Sequence, residues 1–217
     1  MTFSNDLILF LSGVPCVGKT SAAYNLIRTN SYFQSVTELD VFIEAMKEII
    51  KGEKYSDEIS KHYNIIFDSP ALMDYPSLKQ HARTLIDFIL AIVKRQKARK
   101  IPTIIEGTGI VPSVYFEKSQ PLKELAENVV FINLYISDEK EHIHRRVNRC
   151  KTRNYKESLQ EIKSQIKNTR NKNQKLHEET VELSKRFSNV YSIDVAKLNE
   201  QEVVHKINEK LIQCFKD

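Results

Sequence analysis

Residues 7–21 read LILFLSGVPCVGKTS, and the rest of the chain is organised around them. Leu7 to Leu11 is an apolar run without a turn residue, which predicts a buried strand. It is followed at once by Gly13-x-x-x-x-Gly18-Lys19-Thr20, the phosphate-binding loop pattern known as Walker A. Gly13 and Gly18 allow the backbone to turn its amides inward on a di- or triphosphate, with Val14, Pro15, Cys16 and Val17 between them. Lys19 can reach the terminal phosphates and the Thr20 hydroxyl can ligate Mg²⁺. The helix predicted from Ser21 onward aims its positive end at the anion. A chance glycine-rich turn is the bland alternative, but such a turn would rarely have an apolar strand before it and a helical run after it.

The 217 residues suit one α/β domain rather than two. No segment approaches the roughly 18 to 20 apolar residues of a membrane span, and the N-terminus lacks a signal-peptide pattern. Cys16, Cys150 and Cys214 have neither metal-ligand nor disulfide spacing, so the chain reads as cytosolic and reduced. The net charge of +5 is concentrated in two places. One is Lys94 to Lys100; the other runs from Arg145 to Lys175 and includes Arg146, Lys163, Lys167, Arg170 and Lys172. Either can be a solvated face.

Strands are predicted at 35–40, 103–107, 129–136 and 190–195, and helices at 41–51, 77–99, most of 142–185 and 200–215. Residues 53–76 read as irregular, with Tyr75-Pro76 as a breaker, and 113–127 as helix or loop. Alternating strands and helices, apolar on both sides, predict a parallel sheet covered on both faces.

Phosphoryl transfer needs a cradle, Mg²⁺, an anchor for the acceptor hydroxyl and cations for the moving charge. Asp40, at the carboxyl end of the second predicted strand, can take the hydroxyl proton; it can equally cap the following helix. Glu106 ends the third strand, where a carboxylate can orient Mg²⁺; it can also be a solvent-facing strand end. Arg145, Arg149 and Arg153 recur every four residues and so share one helix face, able to clamp a phosphoryl group or simply to meet solvent.

These residues resemble the P-loop kinases, and among them the 2-phosphoglycerate kinases. Gly13–Thr20, Asp40-Val41-Phe42, Ile104-Ile105-Glu106-Gly107 with Pro112, and His142-x-x-Arg145-x-x-x-Arg149 carry the resemblance. It implies an adenylate-kinase-like P-loop fold with sheet order 2-3-1-4-5, a helical acceptor-side cap over about 41–100 and a basic lid over about 145–175. It also implies ATP (or GTP) and Mg²⁺ as cofactors and a small-molecule acceptor. Two positions depart from the pattern: Ile43 stands where an arginine is expected and Gly109 where a histidine is expected. Since isoleucine cannot bind an anion as arginine does, little or no turnover of 2-phosphoglycerate is expected.

A nucleotide, nucleoside or sugar-nucleotide kinase is the alternative within the class, with Phe33, Tyr63, Phe67 and Tyr75 as stacking surface. A nucleic-acid end kinase or RNA-binding protein is the alternative outside it. The basic 144–175 region has only Tyr155 as an interleaved aromatic, which disfavours a nucleic-acid partner. A nucleotide-binding regulator without an acceptor is a further reading. No membrane partner is expected, and an oligomer is compatible with the sequence.

Overall fold

The computed structural model describes residues 3–29, 32–52, 68–117, 127–153 and 157–215. Five strands form one parallel sheet: β1 (Ile8–Ser12), β2 (Ser35–Glu38), β3 (Thr103–Gly107), β4 (Val129–Tyr135) and β5 (Val190–Asp194). Their order is β2-β3-β1-β4-β5, as expected, with the strand that leads into the phosphate loop at the centre. Every residue of β1 and β3 is buried, which follows from near-continuous apolar runs covered on both faces. The register pairs Leu11 with Glu106 and Ser12 with Gly107, so the end of β3 lies beside the start of the loop.

Seven helices are described: α1 (Lys19–Thr29), α2 (Leu39–Gly52), α3 (Tyr75–Ala98), α4 (Pro112–Glu117), α5 (Glu139–Thr152), α6 (Leu159–Ser184) and α7 (Glu200–Cys214). α1 packs on α7, while α4 and α6 pack together and α6 covers β4 and β5. No described helix is long and apolar enough to cross a membrane.

Three boundaries differ from the sequence reading. β2 stops at Glu38, so Asp40 lies in the first turn of α2 and neither ends the strand nor caps the helix. Buried Leu39 sets this early start: it lies so close to Gly107 that a Cβ there would come within 2.8 Å of the Leu39 Cβ. Pro76 does not break structure but occupies the first turn of α3, where a missing N–H costs nothing, behind an Asp74 cap that accepts from Ser77 N–H at 2.9 Å. The basic helical region is two helices, because Ser158 and Glu161 form a reciprocal capping box that starts α6 afresh.

That second helix is tied into the fold by groups the sequence places in the lid. Asn173 accepts from the Ile136 N–H at 3.2 Å and donates to its carbonyl at 2.9 Å. Arg170 donates to the carbonyls of Ile136 and Ser137, and fully buried Lys172 donates to those of Pro70 and Ala71. The 170–173 part of the expected lid is therefore scaffold. Residues 154–156 of that lid and 53–67 of the expected cap lie outside the described residues.

Asn173→Ala leaves the buried Ile136 N–H without a partner, while Arg170 still serves the carbonyl. An orphaned buried donor costs about 1 to 3 kcal/mol, so the midpoint of thermal unfolding should fall by roughly 2 to 12 °C. Circular dichroism melts of the two proteins check this, and equal midpoints contradict the scaffold role.

Candidate active site

The phosphate loop is shaped by two glycines. Gly13 has φ +140°, and a Cβ on it would lie 2.4 Å from the Leu134 carbonyl oxygen; Gly18 has φ +92° in open space. Cys16 sits between them at φ 71°, a left-handed conformation uncommon for a side chain bearing Cβ. Buried Val14 and Val17 anchor the loop to the core. His142 of α5 holds it from the other side, its Nε2–H donating to the Pro15 carbonyl at 3.0 Å. Since a carbonyl only accepts, the proton is on Nε2; the Nδ1 is buried without a partner. Burial keeps this imidazole's pKa below its ordinary value, opposed by the hydrogen bond to Pro15.

Lys19 opens α1 and is buried, its Nζ donating back to the Val14 carbonyl at 3.2 Å. Burial lowers its pKa, and Glu106 and then Asp40 oppose that. The Thr20 hydroxyl donates to Glu106 Oε1 at 2.7 Å. Glu106 is itself buried, which raises its pKa against the pull of Lys19 and the Thr20 hydrogen bond. A hydroxyl and a carboxylate in contact form a hard oxygen pair of the kind Mg²⁺ takes. Among the described residues no three His, Cys, Asp or Glu side chains converge on a metal cage. An ion held by Thr20 and Glu106 would thus complete its shell with phosphate oxygens and water.

Two cavities meet at this point. One, of about 610 Å³, runs from Cys16–Ala22 along Arg145, Arg149 and Arg153 to Leu198, Asn199 and Val203. The other, of about 270 Å³, is lined by Asp40, Ile43, Glu44, Lys47, Glu106, Thr108 and Arg146. Lys19, Thr20 and Arg149 line both.

The arginine stripe is divided in use. Arg145 is held by Glu141 at 2.6 Å and by the carbonyls of Val195 and Leu198 at 2.7 and 3.4 Å. It fixes the loop after β5 with these bonds and at the same time lines the larger cavity. Arg153 is the exposed C-cap of α5 and lines only the larger cavity. Arg149 stands at the junction, with its Nε buried and unpartnered. Ser21 lies in the first turn of α1, also on the wall of the larger cavity.

Three polar groups here escape a reading by motif. Lys47 is nearly buried in the smaller cavity, paired with Glu44 at 2.7 Å. It follows Asp40 and Ile43 by seven and four residues, a helical spacing that marks a shared face. Arg146 is hidden in the sequence among other basic residues. His81 of α3 is fully buried with neither ring nitrogen hydrogen-bonded, and a Cβ on Gly109 would lie 3.5 Å from its Cε1 and Nδ1. An imidazole thus stands beside the position where the resemblance led one to be expected, delivered from another helix. Of the proposed stacking aromatics, two are described. Phe33 is buried against Tyr32 and Tyr75 in α3, while Tyr63 and Phe67 lie outside the described residues.

No family model matches the chain, and no curated protein does. Among solved structures it is similar to a gluconokinase from Sinorhizobium meliloti 1021, at 15% identity and TM-score 0.49 over 98% of this chain and 94% of that one. It is also similar to a shikimate kinase from Bacteroides thetaiotaomicron, at 15% identity and TM-score 0.48 over 95% of this chain and 98% of that one.

Burial, then Lys47, pushes the His81 pKa down to about 4, with Asp40 and Asp68 opposing. The unfolded chain takes up this proton below its ordinary 6.5, whereas the folded one resists until about 4, so stability is lost as pH falls through that window. His81→Leu removes the effect. The stability difference, variant minus parent, should grow by about 2 kcal/mol between pH 7 and pH 4.5. Urea midpoints at the two pH values measure it, and a pH-independent difference refutes the burial of a neutral ring.

Proposed function

We propose that the chain is an ATP- and Mg²⁺-dependent phosphotransferase acting on a small hydroxyl- or phosphate-bearing acceptor. The observation that carries this reading is the meeting of two cavities at Lys19, Thr20 and Arg149. The larger one has the loop and helix terminus that suit a triphosphate at one end and the 195–203 wall for a base, of ATP or GTP, at the other. The smaller one shares Lys19, Thr20 and Arg149 with it, so an acceptor held there would reach the same phosphate.

Each polar group then has a role. Mg²⁺, when bound through Thr20 and Glu106, neutralises phosphate charge. Lys19 exchanges the Val14 carbonyl for a phosphate oxygen. Asp40, exposed on the rim of the acceptor cavity, accepts the proton of the attacking hydroxyl while the bond from the terminal phosphorus to the leaving nucleoside diphosphate breaks. Arg149 follows the phosphoryl group between the cavities and supplies cationic hydrogen bonds where charge develops.

The acceptor cavity favours an acidic molecule over a nucleoside. Its described walls contain no aromatic ring, while Lys47 and Arg146 supply the cations that Ile43 does not. A carboxylated or phosphorylated acceptor, 2-phosphoglycerate included, therefore fits better than the departures at Ile43 and Gly109 imply. The nucleic-acid alternative loses support because Arg145, Arg146, Arg170 and Lys172 are engaged by groups inside the fold.

Saturating ATP–Mg²⁺, at about a hundred times Kd, should stabilise the protein by about 2.7 kcal/mol, seen as a rise of several degrees in the unfolding midpoint. Lys19→Ala should lose that rise and all phosphoryl transfer. Arg149→Ala should keep most of the rise yet lower kcat roughly 10²-fold or more in acceptor-dependent ADP release. A nucleic-acid role predicts instead that Arg149→Ala weakens oligonucleotide binding in a salt-dependent way whatever the nucleotide state. No stabilisation of the parent protein by millimolar ATP–Mg²⁺ would sink the phosphotransferase reading.

A further inference from the structure

The acceptor cavity does not end at Arg146. A further space of about 320 Å³ adjoins it, and the two share Pro15, Ser69, Ala71 and Arg146 as walls. Three features mark this space as a built site. Ile162 and Ile166 of α6 line it and give it an apolar wall apart from the main apolar cluster of the core. His142 lines it too, and its Nδ1 is a buried acceptor with no donor. The roof is pinned from α6: Lys172, itself fully buried, donates to the carbonyls of Pro70 and Ala71 at 3.0 and 2.6 Å. Asn168 does the same for Leu72 and Met73 at 3.1 and 3.0 Å. A lysine taken out of water to hold a two-carbonyl turn fixes the shape of both spaces at once.

We propose that the two spaces form one elongated acceptor site. Its ligand class is an extended hydroxy acid: a phosphorylatable hydroxyl at the Asp40 end, a carboxylate at the neck, and a carbon chain ending in a hydrogen-bond donor in the further space. The neck chemistry follows from Arg146, whose Nη2 donates to both Glu157 oxygens at 2.8 and 2.7 Å and to Gln165 at 3.2 Å. A ligand carboxylate competes with Glu157 for the same guanidinium. Beyond it the chain meets Ile162 and Ile166, and a terminal hydroxyl satisfies the bare nitrogen of His142. The inference rests on the phosphotransferase reading of the first cavity.

The test compares ADP release from ATP with 3-hydroxybutanoate, 3,8-dihydroxyoctanoate and 3,10-dihydroxydecanoate as acceptors. A buried methylene is worth roughly fourfold in affinity, so kcat/KM should rise at least about 10-fold from the four-carbon to the longer acids. Ile166→Trp, or Ile166→Phe where the larger ring prevents folding, fills the further space and should flatten the series without changing the ATP–Mg²⁺ thermal shift. A flat or falling series in the unaltered protein, or a rise that survives the filled space, overturns the proposal. If ATP–Mg²⁺ does not stabilise the protein and no acid is phosphorylated, the phosphotransferase reading is what fails. The elongated site is then decided by binding: 3,10-dihydroxydecanoate raises the unfolding midpoint of the parent and not of the filled variant, or the proposal falls.

Discussion

A buried lysine and a buried glutamate lie under the phosphate loop, and the site depends on their being held together. Burial alone would drive Lys19 and Glu106 toward their neutral forms, and each opposes that for the other. The pairing of Leu11 with Glu106 in the sheet register makes the arrangement possible, since it brings the end of β3 beside the helix that opens with Lys19. The pair is poorly solvated and only partly compensated: the lysine leans on a backbone carbonyl, the carboxylate on one hydroxyl. A phosphate with its divalent ion would give each charge the partner it lacks, so binding energy is stored in the ligand-free geometry.

The constraint spreads outward through the neighbours of the loop. His142 can fix Pro15 only because α5 approaches along the end of β4, and that approach is held by α6 through Asn173 and Arg170 on residues 136 and 137. The same helix sets the roof of the acceptor side through Lys172 and Asn168. A run of basic residues that looks uniform along the chain is thus divided by geometry: Arg170 and Lys172 of α6 serve backbone carbonyls, Lys175 pairs with Glu178, and Arg149 stands at the junction of two cavities. Charge density in the sequence says little about which cations face a ligand; the carbonyls within reach decide it.

What was legible in the sequence follows from the range of the interactions. The phosphate loop and the central strand were readable because each is marked by contiguous residues, whereas the sheet order came only from the resemblance those residues carry. The break between α5 and α6 was also readable, in Ser158-Leu159-Gln160-Glu161, but helical periodicity on either side masked it. Asp40 was misplaced by two residues because Leu39 is drawn into the helix by a tertiary contact with Gly107, which nothing local announces. Lys47 and Arg146 were not singled out since each comes to the site by packing, and His81 comes beside Gly109 in the same way, from helix faces whose partners lie far away along the chain.

His81 and Lys47 also show why substitutions inside a motif are a poor guide to acceptor chemistry. Position 109 has no side chain, and the space beside it is occupied by an imidazole from α3; position 43 is apolar, and a lysine one turn later meets the same cavity. The two replacements are not equivalent. His81 is fully buried with both ring nitrogens unpartnered, and burial lowers its pKa to about 4, so it fills the space beside Gly109 as an uncharged ring. Among the described residues, the ion-pair partner of Lys47 is the largely exposed Glu44. With Glu106 committed to the phosphate side, an acid entering this cavity meets Lys47, Arg146 and Arg149 against Asp40 and Glu44. Arg146 is already paired with Glu157 and Lys47 with Glu44, so an anionic ligand would complete the charge balance only by displacing those carboxylates.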